Sequence, residues 1–271
     1  MKTSVLLFLT DILPEKRRLF NKIVKNKIFG SLPNEKVFTE MKKSGIEGIE
    51  VLLPKLITAD DIHDLKEVME ANKMQVFSVH QALRFLTQTK LAEIKKLFDI
   101  AQLLSAEVIV LHMNSAGKQV LDPKYIAEIH KLEKNYGIKV GYENMEKHAG
   151  SLMSGIGWDG KKFGDLMKKN GFKITMDVCH IGQSGGDILN FLKLNMARIV
   201  NIHLSDYKSH YLNNSIRPMR FKHMPLGKGE LPINEFLKIL KNENYPGILT
   251  LEIETDLKGL LESAEIIKNA T

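Results

Sequence analysis

Cysteine and long apolar runs are scarce in this chain of 271 residues, and each shortage excludes a class of protein. Cys179 is the single cysteine, which excludes an internal disulfide framework and favours a reducing compartment. No apolar run approaches the roughly 20 residues of a transmembrane helix. The apolar stretch at residues 5–9 is too short for a signal peptide and lacks a small-residue cleavage pattern, so it predicts a first strand. We therefore expect a soluble, cytoplasmic protein with no membrane contact.

Acidic residues are fewer than basic ones, 32 against 39, which leaves a formal net charge of +7. A positive surplus suits a polyanionic partner such as nucleic acid or a phosphorylated substrate. Most of the surplus is lysine scattered over predicted helices, which is more typical of an ordinary solvated surface. Residues 208–230 differ, because they carry five bases and one acid without helical periodicity, and we predict a long functional loop there. Its bases are Lys208, Arg217, Arg220, Lys222 and Lys228.

Short apolar runs alternate with helical patterns along the chain. Helix signals include a proline in the first turn after Asp122 and a capping-box-like start at Thr58; a basic helix is also predicted at residues 16–27. The predicted strands cover residues 4–9, 48–53, 74–79, 107–111, 138–142, 172–176, 199–202 and 248–251. Continuous apolar strands separated by helices predict a parallel sheet covered on its outer face. No Gly-x-Gly-x-x-Gly motif follows the first strand, so a dinucleotide-binding sheet is disfavoured. The pattern predicts a single (β/α)8 barrel, a TIM barrel, over residues 1–271.

Polar side chains follow the last six predicted strands, where each strand ends. These residues are His80, His112, Glu143, Asp177, His203 and Glu252. The carboxyl ends of barrel strands meet at one face, so we expect the six side chains to share a cavity. Singly, each has a structural interpretation as a hydrogen-bonded residue, a salt bridge or a helix cap. Together, several buried carboxylates need a cation to offset their repulsion, and carboxylates with imidazoles suit zinc, manganese or magnesium. The sequence therefore predicts a divalent metal site.

Two further histidines lie near these strand ends or in the basic loop, and four lie elsewhere. His180 is expected in the turn after Asp177, and His223 lies in the loop. The other four, which are expected at the surface, are His63, His130, His148 and His210.

As an ordered set, these motifs resemble the xylose isomerase-like barrel superfamily, which joins endonuclease IV to sugar isomerases and epimerases. The resemblance runs from about residue 46 to the last helix. The motifs that carry it are Ser78-Val79-His80, Val110-Leu111-His112, Tyr142-Glu143-Asn144, Asp177-Val178-Cys179-His180, His203-Leu204-Ser205-Asp206, the stretch 223–229 from His223, and residues 247–252.

The resemblance implies roles in the epimerase branch. The four ligands of the metal site shared by both branches correspond to Glu143, Asp177, His203 and Glu252. In the epimerases the two glutamates also move protons on and off a sugar carbon, while a divalent cation polarises the carbonyl. Further substrate contacts are expected from His180, His223, Lys208, Arg220 and Asn144.

The resemblance to the endonuclease IV branch is incomplete. His80 and His112 match ligands of its second metal, with Glu143 as the bridge, so one or two ions are expected. His180 and His223 match two ligands of its third metal. The position of the aspartate that completes that third site is Phe221 here, and phenylalanine cannot bind a metal. The turn after His80 also lacks the aromatic residue that the nuclease inserts into DNA.

Three hypotheses follow from the sequence. The first is a metal-dependent isomerase or epimerase of a small sugar, sugar phosphate or polyol derivative. The second is an endonuclease IV-like enzyme that cuts DNA at abasic sites. The third is a non-catalytic barrel that binds a ligand. Because such barrels change chemistry by changing loops, the fold does not select among them, and the oligomeric state is not readable.

Overall fold

Within the described part of the chain, eight parallel strands hydrogen-bond into a closed barrel. The computed structural model describes residues 1–13, 35–53, 57–81, 91–112, 122–146, 157–210 and 219–270. The barrel strands, in their order around the barrel, are β1 (Lys2–Phe8), β2 (Gly48–Leu52), β3 (Gln75–His80), β4 (Val108–His112), β5 (Lys139–Glu143), β6 (Lys173–Asp177), β7 (Ile199–Leu204) and β10 (Ile248–Leu251). This architecture confirms the (β/α)8 barrel predicted from the alternation of strands and helices.

The helices lie between the strands in sequence and cover the barrel with their apolar faces. They are α1 (Leu9–Ile12), α2 (Glu35–Lys43), α3 (Ala59–Ala71), α4 (Leu91–Leu103), α5 (Pro123–Tyr136), α6 (Gly160–Lys169), α7 (Val178–Gln183), α8 (Ile188–Asn195), α9 (Ile233–Asn242) and α10 (Leu257–Ala270). In α4, Ile94, Leu97, Phe98 and Ala101 are buried, as their helical spacing predicts. The predicted helix at residues 16–27 lies outside the described residues.

Close packing between neighbouring strands requires glycine at position 48, at the start of β2. β1 pairs with β2 on one side, with Ser4 opposite Gly48, and with β10 on the other, with Lys2 opposite Ile248. A Cβ at Gly48 would lie 2.7 Å from the carbonyl oxygen of Gln75 and from the ring of Phe77. Only a residue without a side chain fits that contact.

The predicted long loop at residues 208–230 is wrong, because residues 208–210 and 219–224 lie in two paired β-strands. Strands β8 (Asp206–His210) and β9 (Met219–Met224) pair antiparallel, with Lys208 opposite Phe221. The absence of helical periodicity argues against a helix but is compatible with β-strands. Hydrogen bonds between the two strands give this segment its regular structure. The Asp206 carboxylate then accepts backbone N–H bonds from Gly227, Gly229 and Leu231 at 2.8–3.1 Å, which fixes the chain after the hairpin.

Some predictions concern residues or side chains that the structure does not describe. Arg217 and His148 lie outside the described residues, and the side chains of Arg220, Phe221 and His210 lie outside the description as well. Among the helices that the structure does describe, none combines the length and apolarity needed to cross a membrane.

Thr58→Ala is expected to lower the free energy of unfolding by about 1 kcal/mol, because it removes the N-cap of α3. The Thr58 hydroxyl accepts the Asp61 N–H at 3.2 Å, and the Asp61 carboxylate accepts the Thr58 N–H at 2.8 Å, which confirms the predicted capping box. Urea denaturation measures the change. Thr58→Ser, which keeps the hydroxyl, is the control, and equal losses in both variants would contradict the capping role.

Candidate metal centre

The carboxyl ends of four neighbouring strands bring together the four residues predicted as shared ligands. Glu143 ends β5, Asp177 ends β6, His203 lies in β7 and Glu252 directly follows β10. The parallel register places Asp177 beside His203. One donor atom from each of the four residues lies within 4.8 Å of the others. This set is called the central group below.

The donor atoms of the central group fit a divalent cation. Glu143 Oε2, Asp177 Oδ2, Glu252 Oε2 and His203 Nδ1 are buried, and among the described residues none of them forms a hydrogen bond of normal geometry, although some lie within ion-pair distance of one another or of His112. His203 Nδ1 lies 2.8 Å from Glu252 Oε2 and 3.4 Å from Glu143 Oε1. Buried polar atoms are normally satisfied, and three carboxylates around one imidazole repel each other unless positive charge lies between them. The group could therefore hold zinc, manganese or magnesium.

A second group shares Glu143 with the first. His112 is the register partner of Glu143 on the neighbouring strand, and its Nε2 lies 2.8 Å from Glu143 Oε2. His80 Nε2 lies 3.4 Å from the same oxygen. The Nδ1 of His80 lies 2.8 Å from the carbonyl oxygen of Gln81, a contact that requires the proton on Nδ1 and leaves Nε2 as an acceptor. These three residues could hold a second ion, with Glu143 between the two.

A third group consists of Asp177, His180 and His223, whose donor atoms also lie within 4.8 Å of one another. His180 lies in the short helix α7 and not in a turn, because Asp177 caps that helix by accepting the His180 N–H at 2.8 Å. His223, on β9, has a left-handed backbone with φ of 50°. Its ring meets that of His180 edge-on at 5.6 Å. The hairpin thus brings His223 back to the barrel mouth.

Two of the predicted substrate contacts are now placed. Asn144 is buried, and its side-chain amide forms two hydrogen bonds with the backbone at the end of β6. Its Oδ1 accepts the Asp177 N–H at 2.8 Å, and its Nδ2 donates to the Asp177 carbonyl at 3.0 Å. Lys208 is exposed on β8. Their contacts with a substrate stay predictions. Among the histidines expected at the surface, His63 is exposed, while His130 is half-buried between Glu133 and the Asn170 carbonyl.

Sequence reasoning missed two carboxylates that contact the histidines, and one of them, Glu50, forms a fourth candidate group with His80 and His203. Glu50, in β2, is fully buried, and its Oε1 lies 2.9 Å from His203 Nε2. Glu146 Oε2 lies 3.3 Å from His180 Nε2. The signal for Glu50 was present, since an acid between Ile49 and Val51 interrupts an apolar strand.

Opposite charges and burial shift the pKa values of the centre. Burial favours the neutral form of Glu143, but His112 and His203 outweigh it and hold the pKa of Glu143 well below its usual range. Burial, with a further contribution from the nearby carboxylates of Glu252 and Glu143, raises the pKa of Asp177 to about 6. Burial opposes the charged form of His180, yet the carboxylates of Asp177 and Glu143 outweigh it and raise its pKa to about 9. Without a cation, the imidazoles thus supply the positive charge.

In the metal-free protein, the free energy of unfolding is expected to fall as pH rises from about 6.5 to about 9. The folded chain holds the His180 proton with a pKa of about 9, against 6.5 as the ordinary value. The stabilisation is therefore complete below pH 6.5 and is lost as pH rises through 9. Urea unfolding across this range measures it. His180→Gln should weaken the dependence while His63→Gln, at an exposed site, should not; a wild-type stability that rises over this range would contradict the assignment.

Comparison with known proteins agrees with the geometry. The chain is 26% identical over 278 residues to an inosose dehydratase of Clostridium perfringens, covering 88% of this chain and 90% of the relative. Its fold is similar to that of a D-tagatose 3-epimerase-like protein, with a TM-score of 0.68, 20% identity and coverage of 100% and 97% of the two chains. Endonuclease IV from Thermus thermophilus has a TM-score of 0.60, 14% identity and coverage of 100% and 98%. At these identities the two structures establish the fold alone. The family model described as xylose isomerase-like TIM barrel matches residues 38–270, and the chain therefore belongs to that family.

Proposed function

We propose that this chain is a divalent-metal-dependent isomerase or epimerase acting on a small sugar, sugar phosphate or polyol derivative. The observation that carries the proposal is the central group, in which three carboxylates and one imidazole place buried donor atoms within 4.8 Å of one another without hydrogen bonds of normal geometry. The relationship to an inosose dehydratase supports a small carbonyl-bearing substrate. Epimerisation, isomerisation and dehydration share an early step, the removal of a proton next to a carbonyl.

Glu143, Asp177, His203 and Glu252 would hold the cation. When bound, a divalent ion supplies positive charge that stabilises the negative charge developing on substrate oxygens. The second group, His80 and His112 with Glu143, offers a place for another ion, so we propose a site for one or two.

Glu252 and Glu143 are assigned to the proton transfer. The Glu252 side chain is 23% exposed, so a substrate entering at the barrel mouth reaches it first. Its carboxylate takes the proton from the carbon, and the electron pair of the broken C–H bond moves toward the carbonyl oxygen. Glu143, buried on the inner side and ionised at rest, would first take up a proton from solvent and then return it to the carbon from the opposite face. His180 would donate a hydrogen bond to a substrate hydroxyl and so orient the sugar.

Glu252→Gln is expected to lower kcat by about 10²- to 10⁴-fold, because the amide cannot accept the proton. The assay is turnover of inososes and a panel of ketoses by the metal-loaded protein, followed by exchange of the substrate C–H for deuterium in D2O. Glu254→Gln, two residues further on and exposed, is the matched control.

Removal of the metal with a chelator is expected to abolish that turnover, and re-addition of Zn²⁺, Mn²⁺ or Mg²⁺ to restore it. A metal-loaded protein that neither turns over the panel nor exchanges deuterium would argue against the proposal. A purified protein with no bound metal and no metal-induced shift in Tm would favour a non-catalytic, ligand-binding barrel instead.

An endonuclease IV-like cleavage of DNA at abasic sites is the second candidate. Two observations favour it: His80 and His112 both face Glu143, and the third group brings Asp177, His180 and His223 together. By the resemblance, the aspartate that completes the third site of endonuclease IV corresponds to Phe221 in this sequence, which weighs against this candidate. Basic residues of the hairpin, such as Lys208, would contact phosphates.

We expect no cleavage of a duplex that carries one abasic site, because the third group lacks that carboxylate. The metal-loaded wild type is assayed beside Glu143→Ala, with binding measured at several salt concentrations. Cleavage by the wild type alone, together with affinity that falls steeply with salt, would instead establish the nuclease.

A further inference from the structure

We propose that Glu50 is a positioning residue of the metal centre: from β2 it holds the His203 ring so that Nδ1 faces the other three ligands. The inference rests on the metal site of the proposed function. Glu50 lies outside the central group and behind His203 as seen from that group, so its effect on a substrate would pass through the histidine.

The two nitrogens of His203 face different carboxylates. Nε2 lies 2.9 Å from Glu50 Oε1, whereas Nδ1 lies 2.8 Å from Glu252 Oε2 and 3.4 Å from Glu143 Oε1. A neutral imidazole carries a proton on one nitrogen and a lone pair on the other, and an ionised carboxylate only accepts. Without a cation both nitrogens carry a proton, because each faces a carboxylate. When a cation engages Glu252 and Glu143, Glu50 is the carboxylate left facing the ring, so the proton stays on Nε2 and the Nδ1 lone pair is directed at the centre. Carboxylates behind ligand histidines act in this way on metal affinity.

Glu50 is itself held by hydrogen bonds from two other strands. Its Oε2 accepts from the Ser78 hydroxyl at 2.5 Å and from Asn201 Nδ2 at 2.7 Å. The Thr250 hydroxyl donates to Asn201 Oδ1 at 2.9 Å, which fixes the amide so that its NH2 group points at Glu50. Ser4 Oγ lies 2.8 Å from Thr250 Oγ1 and extends the series.

This buried polar chain joins five barrel strands through side chains that are each fully buried. Its members are Ser4 of β1, Glu50 of β2, Ser78 of β3, Asn201 of β7 and Thr250 of β10. Burying a carboxylate is costly unless it is paired and hydrogen-bonded, and apolar side chains would fill a strand interior at lower cost. The chain supplies donors to Oε2 and so orients Oε1 toward His203. We therefore assign this arrangement to the orientation of the His203 ring and not to the packing of the barrel interior.

The direct test is the protonation of His203 in the wild-type protein, observed by ¹⁵N NMR of the imidazole nitrogens during titration with Zn²⁺. His203→Gln assigns the signals. We expect Nε2 to stay protonated and Nδ1 to be the nitrogen whose signal moves when Zn²⁺ binds. Movement of Nε2 instead would overturn the proposal and place Glu50 in the shell of the ion, since Glu50, His80 and His203 also have donor atoms within 4.8 Å.

Glu50→Gln gives the second test, in which Zn²⁺ affinity is measured by competition with a chromophoric chelator. We expect the Kd for Zn²⁺ to rise about 10- to 100-fold, the usual effect of losing such a partner. The amide can donate to Nε2 and so favours the tautomer with the proton on Nδ1. Asp61→Asn, which neutralises a buried acid in the α3 capping box, is the matched control and should lower Tm without changing the Kd.

The outcomes separate this inference from the proposed function. If the wild type binds no metal, the proposed metal-dependent function is refuted, and the role of Glu50 is refuted with it. If the wild type binds Zn²⁺ and Glu50→Gln folds and binds it equally well, the positioning role is refuted while the metal site stands. If Glu50→Gln does not fold, the wild-type NMR titration decides, because it requires no variant.

Discussion

The structure of the centre depends on the placement of one imidazole between carboxylates. His203 contacts Glu50 with one ring nitrogen and Glu252 with the other, all within the barrel interior. A charge buried in this way is stable only with a partner of opposite sign. The centre is accordingly arranged as alternating acids and imidazoles, and the pKa of His203 is held well above its usual value because Glu50 and Glu252 outweigh the effect of burial.

The barrel explains how residues far apart in sequence share these contacts. Parallel strands in register place the last residue of one beside the last residue of the next, so Asp177 lies against His203 and His112 against Glu143. The chain needs no long loop to bring these ligands together. The register also pairs Ser4 with Thr250, whose hydroxyl hydrogen-bonds Asn201, and Asn201 in turn holds Glu50. The central group is thus supported by a buried polar layer, and strand pairing places residues of both.

Glu143 connects the two functions that the family suggests. In the central group it is one of four residues whose donor atoms could hold one ion, and with His80 and His112 it belongs to a second such group. A proton-transfer enzyme requires the first position and a cavity that admits a sugar. In the resemblance to the nuclease branch, the third group would need a second carboxylate, and the corresponding position is Phe221. The same backbone is compatible with either chemistry, and the proposed function takes the first.

The sequence by itself determined the barrel and the residues of the centre, because both depend on local pattern. Apolar strands alternating with helices, each ending in His, Asp or Glu, predicted the eight-stranded barrel and the convergence of Glu143, Asp177, His203 and Glu252. It also identified the cap of α3, since Thr58 and Asp61 are three residues apart. Three features were decided only by the tertiary structure: the hairpin that returns His223, the helix that carries His180, and the contact of Glu50 with His203. Each depends on hydrogen bonds or contacts between segments distant in sequence, and an acid in an apolar strand does not reveal its partner until the register of the barrel is known.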